Sequence, residues 1–116
     1  MMEIFVRTSF AGMHNWPDAP DHRSYLRHPH RHLFEVEATA EIDEDRGIEF
    51  HDLLAKVRKV IDMHIGEPME DDPSIRFLGP LSCERIGRRI LRKVPELSKI
   101  SVSEDGELGA KVDREG

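Results

Sequence analysis

His30-Arg31-His32-Leu33-Phe34-Glu35-Val36-Glu37-Ala38-Thr39-Ala40-Glu41-Ile42 is the stretch on which the reading of this chain turns. Every second residue, His30, His32, Phe34, Val36, Ala38, Ala40 and Ile42, falls on one side. Arg31, Leu33, Glu35, Glu37, Thr39 and Glu41 fall on the other. A period of two with one apolar side is the pattern of a half-buried strand. The apolar side begins with two imidazoles. Residues i and i+2 of a strand share a face, so His30 and His32 aim at one point, and imidazole is a common zinc ligand. On their own, two histidines at this place read better as polar residues at a fraying strand end.

The first segment shifts that balance. From Met2 to His14, the residues Ile4, Val6, Thr8, Phe10, Gly12 and His14 share one face, and that face again ends in a histidine. If the two strands pair, His14, His30 and His32 form a cluster of three. Three protein ligands with an open fourth position is the zinc arrangement used for catalysis. Gly12, two residues before His14, suits a place where the backbone bends or something approaches it closely.

Outward from these strands, the chain falls into short pieces. Residues 15–29 contain Pro17, Pro20 and Pro29 and read as a loop covering the histidines. Asp43 to Gly47 is a turn. Phe50, Leu53, Leu54, Val57, Val60 and Ile61 recur at helical spacing, predicting a helix from Phe50 to His64 that ends before Gly66 and Pro68. Residues 66–80, acidic and containing proline, read as a solvated loop. Ser82 is a good N-cap for a second helix. Ile86, Ile90, Leu91 and Val94 form its buried stripe, with Arg85, Arg88, Arg89, Arg92 and Lys93 outside, and Pro95 stops it. Ile100, Val102 and Glu104 alternate as a third strand. Asp105-Gly106 is a turn, and residues 110–112 form a short fourth strand. The order β-β-α-α-β-β predicts an α+β fold, a four-stranded antiparallel sheet with two helices on one face, in a single domain over residues 1–116.

The chain has 116 residues, a net charge of -6, seven histidines and one cysteine. The acidic balance argues against a nucleic-acid or membrane-surface binder. The lone Cys83 rules out an internal disulfide and suits a reducing compartment, and no run is long and apolar enough to span a bilayer. A cytoplasmic protein is expected. A four-stranded sheet leaves edges that need pairing, so a homo-oligomer is expected too.

Taken together, several motifs resemble the 6-pyruvoyltetrahydropterin synthase and 6-carboxytetrahydropterin synthase family. Phe10-Ala11-Gly12-Met13-His14 is similar to its F-x-A-x-H, and His30-Arg31-His32-Leu33-Phe34 to its H-G-H-x-Y/F. Gly47 to Leu54 resembles its G-x-x-x-D-F-x-x-L region, Ser82-Cys83-Glu84 its P-T-x-E, and Val102-Ser103-Glu104 its V-x-E-T. The resemblance implies the T-fold, subunits assembled into a barrel of the hexamer type with sites at subunit interfaces. It implies Zn²⁺ on His14, His30 and His32, and Glu104 anchoring a pterin ring. It also implies a lyase acting on 7,8-dihydroneopterin triphosphate, giving 6-carboxytetrahydropterin on the queuosine precursor route or 6-pyruvoyltetrahydropterin.

The sequence departs from the family where protons move. The family's cysteine, four residues before the first histidine of its H-x-H, is Leu26 here. Cys83, at a helix start, is one substitute, its thiol acidified by the helix end, although a small buried residue is the plainer reading. The family's Asp-His pair finds its nearest counterpart in Asp62 and His64, interrupted by Met63. His28 shares the face of His30 and is a further candidate. Arg23 and Arg27 are candidates for the triphosphate. Loss of the cysteine also leaves open a zinc- or pterin-binding module without catalysis.

Overall fold

The computed structural model describes residues 1–114. Two long strands, β1 (Met2–His14) and β2 (His30–Ile42), pair antiparallel along their whole length, Met2 opposite Ile42 and His14 opposite His30. Both boundaries coincide with the alternating runs, because the periodic apolar face is what the helices cover. Between them lies a short 3-10 helix, Asp21–Arg27. Helix α1 (Phe50–His64) follows, with Glu49 as its cap, the carboxylate accepting from the His51 amide at 2.6 Å.

Residues 66–80 are not the solvated loop that their acidic composition suggests. They hold β3 (Glu67–Pro68) and β4 (Ile75–Gly79). β4 pairs parallel with the end of β1, from Ala11 opposite Ile75 to His14 opposite Gly79. Its inward positions are Arg76 and Leu78, 8 % and 4 % exposed. The buried arginine hides the strand from a hydrophobic pattern. Its guanidinium donates to the carbonyls of Ile65 (2.6 Å), Asp62 (2.7 Å) and Gly66 (3.0 Å). The first two belong to the end and cap of α1, which leaves them without intrahelical partners at the negative end of its dipole. Arg89 donates to the next one, that of His64, at 3.1 Å.

Helix α2 (Cys83–Lys93) starts at Ser82, whose hydroxyl accepts from the Arg85 amide at 3.2 Å. β5 (Lys99–Glu104) pairs antiparallel with β2, and β6 (Leu108–Asp113) with β5. The sheet among the described residues thus has six strands, in the order β3-β4-β1-β2-β5-β6, rather than four. The two helices pack on one face. The core between sheet and helices holds Phe34, Val36, Ala38, Ile100 and Val102 from the strands and Leu53, Val57, Ile86 and Ile90 from the helices. Gly12 belongs to that contact layer. A Cβ there would stand 2.7 Å from Leu78 Cδ1 and 2.9 Å from Phe34 Cε2, so the missing side chain is what lets those groups close over the strand beside His14.

Candidate functional site

The β1–β2 register places His14 opposite His30 and Gly12 opposite His32. The three imidazoles therefore meet at one end of the sheet, each offering a ligand nitrogen, with these atoms all within 4.8 Å of one another. Nothing in the loop between the strands is needed for the convergence; it follows from pairing two apolar faces that both terminate in histidine.

Each ring is turned by a hydrogen bond at Nδ1. His14 Nδ1 meets the Leu81 carbonyl at 3.1 Å, His30 Nδ1 the His28 carbonyl at 2.9 Å, and His32 Nδ1 an Asp105 carboxylate oxygen at 2.7 Å. Carbonyls and carboxylates only accept, so Nδ1 donates in all three rings, and in their neutral form the lone pair lies on Nε2. His14, whose side chain is 11 % exposed, is held below the usual histidine pKa of 6.5, because burial disfavours its charged form. The Leu81 carbonyl and the Glu104 charge pull the other way without prevailing.

Glu104 closes the cluster. Its carboxylate oxygens lie 3.2 Å from His14 Nε2 and 3.4 Å from His32 Nε2. With the protons on Nδ1, lone pairs and a carboxylate face one another, an arrangement that a cation relieves. The donor set therefore fits a metal ion, and neutral imidazoles suit zinc.

Asp105 is held in turn. Its other oxygen accepts from the Leu33 amide at 2.8 Å, and its own amide donates to the Leu33 carbonyl at 2.7 Å. It sits at φ 55° and Gly106 at φ 70°, the left-handed pair of a tight hairpin turn between β5 and β6. The Leu33 amide and His32 both lower its pKa. As a sequence, Asp105 reads only as a turn residue. Its role emerges from the β2–β5 register, which brings it beside a histidine 73 positions away.

A cavity of about 790 Å³ opens beside His14 and His30. Trp16, Leu26, Cys83, Arg88 and Glu104 also line it. From the loop before β2, Asn15, Trp16, Pro17, Asp18 and Leu26 line the cavity beside His14 and His30. Leu26, the position at which the resemblance implies a cysteine, puts a hydrocarbon side chain at the cavity wall. Cys83 is buried, 3.9 Å from Glu104 Oε1, and its thiol pKa is pushed up to about 12 by burial and then by the Glu104 and Glu84 charges. It is a neutral S–H donor at physiological pH; the helix-end acidification expected from the sequence is outweighed. Asp62, His64 and His28 are not among the residues that line the cavity. Asp62 is 76 % exposed and 4.0 Å from Arg76, while the carbonyls of Asp62, His64 and His28 serve as acceptors.

A sequence profile described as 6-pyruvoyl tetrahydropterin synthase matches residues 3–115. The chain belongs to the 6-pyruvoyl tetrahydropterin synthase family. No curated protein matches it in sequence. Among solved structures, an uncharacterized protein from Wolinella succinogenes has a TM-score of 0.65 at 16 % identity, covering 97 % of this chain and 98 % of that one. The Caenorhabditis elegans 6-pyruvoyl tetrahydropterin synthase has a TM-score of 0.60 at 13 % identity, covering 97 % and 94 %. A catalytic-residue mutant of the Plasmodium vivax 6-pyruvoyltetrahydropterin synthase has a TM-score of 0.59 at 20 % identity, covering 97 % of each chain. At these identities the structures share the T-fold with this family member. No helix among the described residues is long and apolar enough to cross a membrane.

Proposed function

We propose that this chain is a zinc-dependent lyase of the pterin synthase type, acting on 7,8-dihydroneopterin triphosphate to give 6-carboxytetrahydropterin. The observation that carries the reading is the convergence of His14, His30 and His32 with Glu104 at the mouth of a cavity of pterin-accommodating size. His14, His30 and His32 would hold the ion, which when bound would act as a Lewis acid on substrate oxygens. Glu104 would accept the paired N–H groups of the pterin ring, a partner that suits a partly buried carboxylate. Asp105 and the Leu81 and His28 carbonyls keep the imidazoles oriented while substrate exchanges.

Of the candidates for the proton-moving group, Cys83 is disfavoured, and Asp62, His64 and His28 are kept. Cys83 holds its proton too tightly to act as a base, and its S–H instead orients Glu104. Asp62 and His64 lie away from this cavity on a surface where Met63 is 62 % exposed. In an oligomer with sites between subunits, they would serve a neighbour's cavity. A single-domain homo-oligomer of the hexamer type, acting in the cytoplasm on the queuosine precursor route, is part of this reading. β1 supports it, since its Met2–Phe10 stretch has no strand partner opposite β2 among the described residues.

A second reading is favoured by Leu26 and by the neutral Cys83, namely a zinc- and pterin-binding module without turnover. Incubation of zinc-loaded protein with 7,8-dihydroneopterin triphosphate separates the two. Formation of 6-carboxytetrahydropterin supports the lyase, and 6-pyruvoyltetrahydropterin would assign the sister reaction. Unchanged substrate that nevertheless binds would leave the module.

A further inference from the structure

We propose that Glu104 is a fourth metal ligand, so that the three-histidine centre is closed at rest and opens only when a bound molecule draws the carboxylate away. The proposal rests on the metal part of the reading above and goes beyond it, because there Glu104 serves the substrate ring alone.

The placement comes from strand register. Glu104 ends β5 opposite Phe34 of β2, and His32 is the next residue of β2 on that same inward face. The carboxylate therefore reaches along the sheet into the histidine cluster. Oε1 stands 3.2 Å from His14 Nε2, and Oε2 stands 3.4 Å from His32 Nε2. These lengths discriminate. Charge-assisted N–H···O bonds close to about 2.7–2.9 Å, as the His32–Asp105 contact does at 2.7 Å. Ligand atoms on one tetrahedral zinc ion, with bonds of about 2.0–2.1 Å, stand about 3.3–3.4 Å apart along each edge. The carboxylate is thus at ligand spacing from two of the three imidazoles, whose own ligand atoms all lie within 4.8 Å of one another.

No side-chain cation answers the charge. Glu104 is 19 % exposed, and neither lysine nor arginine pairs with it among the described residues. Its remaining partner is the Cys83 thiol, 3.9 Å from Oε1. A partly buried carboxylate beside neutral donors is stabilised by a cation. Asp105, the other acid at the cluster, is engaged by His32 Nδ1 and the Leu33 amide, on the far side of the ring. Three imidazoles and one carboxylate make four protein ligands, the count of a closed zinc site. Glu104 also lines the cavity, so a molecule entering there meets it directly. Paired N–H groups on that molecule compete with the metal for the same oxygens, and binding them shifts the carboxylate off the metal.

The test uses the full-length protein loaded with Co²⁺, whose visible bands report its ligands, and with Zn²⁺ for affinity, in wild type and Glu104→Gln. The probe is imidazole, which is neutral, so the charge of Glu104 does not itself repel it. Wild type is expected to take up imidazole at least about tenfold more weakly than Glu104→Gln, and to bind Zn²⁺ at least about tenfold more tightly. Equal imidazole uptake, or equal zinc affinity, overturns the proposal. If Glu104→Gln does not fold, Glu104→Asp, which keeps the charge and withdraws it by one methylene, is judged by the same criteria. Pterin, the bare ring, is then added to wild type. Imidazole uptake that rises with pterin supports the opening, and uptake unmoved by bound pterin overturns it. The underlying reading fails separately. A wild type that takes up no metal overturns the zinc centre and this proposal together. Metal bound with a freely accessible fourth position overturns this proposal alone and leaves Glu104 to the substrate ring.

Discussion

At the scale of single residues, the site depends on side chains that never touch the ligand. Asp105 fixes the tautomer and orientation of His32 while itself locked to Leu33 at both its oxygen and its amide. Asp105→Asn removes the charge and is expected to weaken zinc binding about 10- to 100-fold with little change in fold, as read by competition with a chromophoric chelator. The carboxyl pKa is lowered in the folded protein, so its contribution is present above the unfolded carboxyl value and is lost as pH falls through the lower folded value. Cys83 behaves in the opposite sense. Its pKa rises from 9.0 to about 12 on folding, so the stability it contributes is complete below pH 9 and drains away as pH rises toward 12. At pH 8, alkylation of Cys83 by iodoacetamide should be far slower than that of a free thiol and should recover in urea. Fast alkylation of the native protein would contradict the burial of the thiol.

At the scale of elements, two contacts decide whether the histidines meet. Gly12 is one. Gly12→Ala places a methyl within 2.7 Å of Leu78 and 2.9 Å of Phe34, and is expected to cost about 1–3 kcal/mol in urea unfolding and to lower zinc affinity by displacing β1 at His14. The cap on α1 is the other. Arg76→Met leaves the carbonyls of Asp62, Ile65 and Gly66 without their donor in a buried setting, and is expected to cost about 2–4 kcal/mol. A loss below about 0.5 kcal/mol would mean water replaces the guanidinium. The contrast with the sequence is instructive here. β1, β2 and α1 are legible to the residue, since long periodic faces leave one choice of pairing. β4 is not, because its five residues bury an arginine whose partners are main-chain carbonyls, and no side-chain pattern announces those. In the same way the meeting of His14, His30 and His32 is legible from face and spacing, whereas Glu104 stands out only through the family resemblance. Asp105 and Arg88 acquire their places only from strand register and helix packing.

At the scale of the molecule, a chain of net charge -6 gathers its three-histidine cluster and its cavity at one end of a sheet whose central strand keeps a free edge among the described residues. An edge of that length is expected to be covered by another copy. Sedimentation equilibrium should give a mass several times the 13.4 kDa of one chain, and a monomer at micromolar concentration would contradict assembly through that edge. The central claim is the metal site, and it is tested most directly by the metal content of the purified protein beside that of His30→Ala. About one zinc per chain is expected in the native protein, and much less in the variant with its circular dichroism unchanged. No metal in the native protein, or equal metal in both, would contradict the claim that the three histidines form a zinc centre.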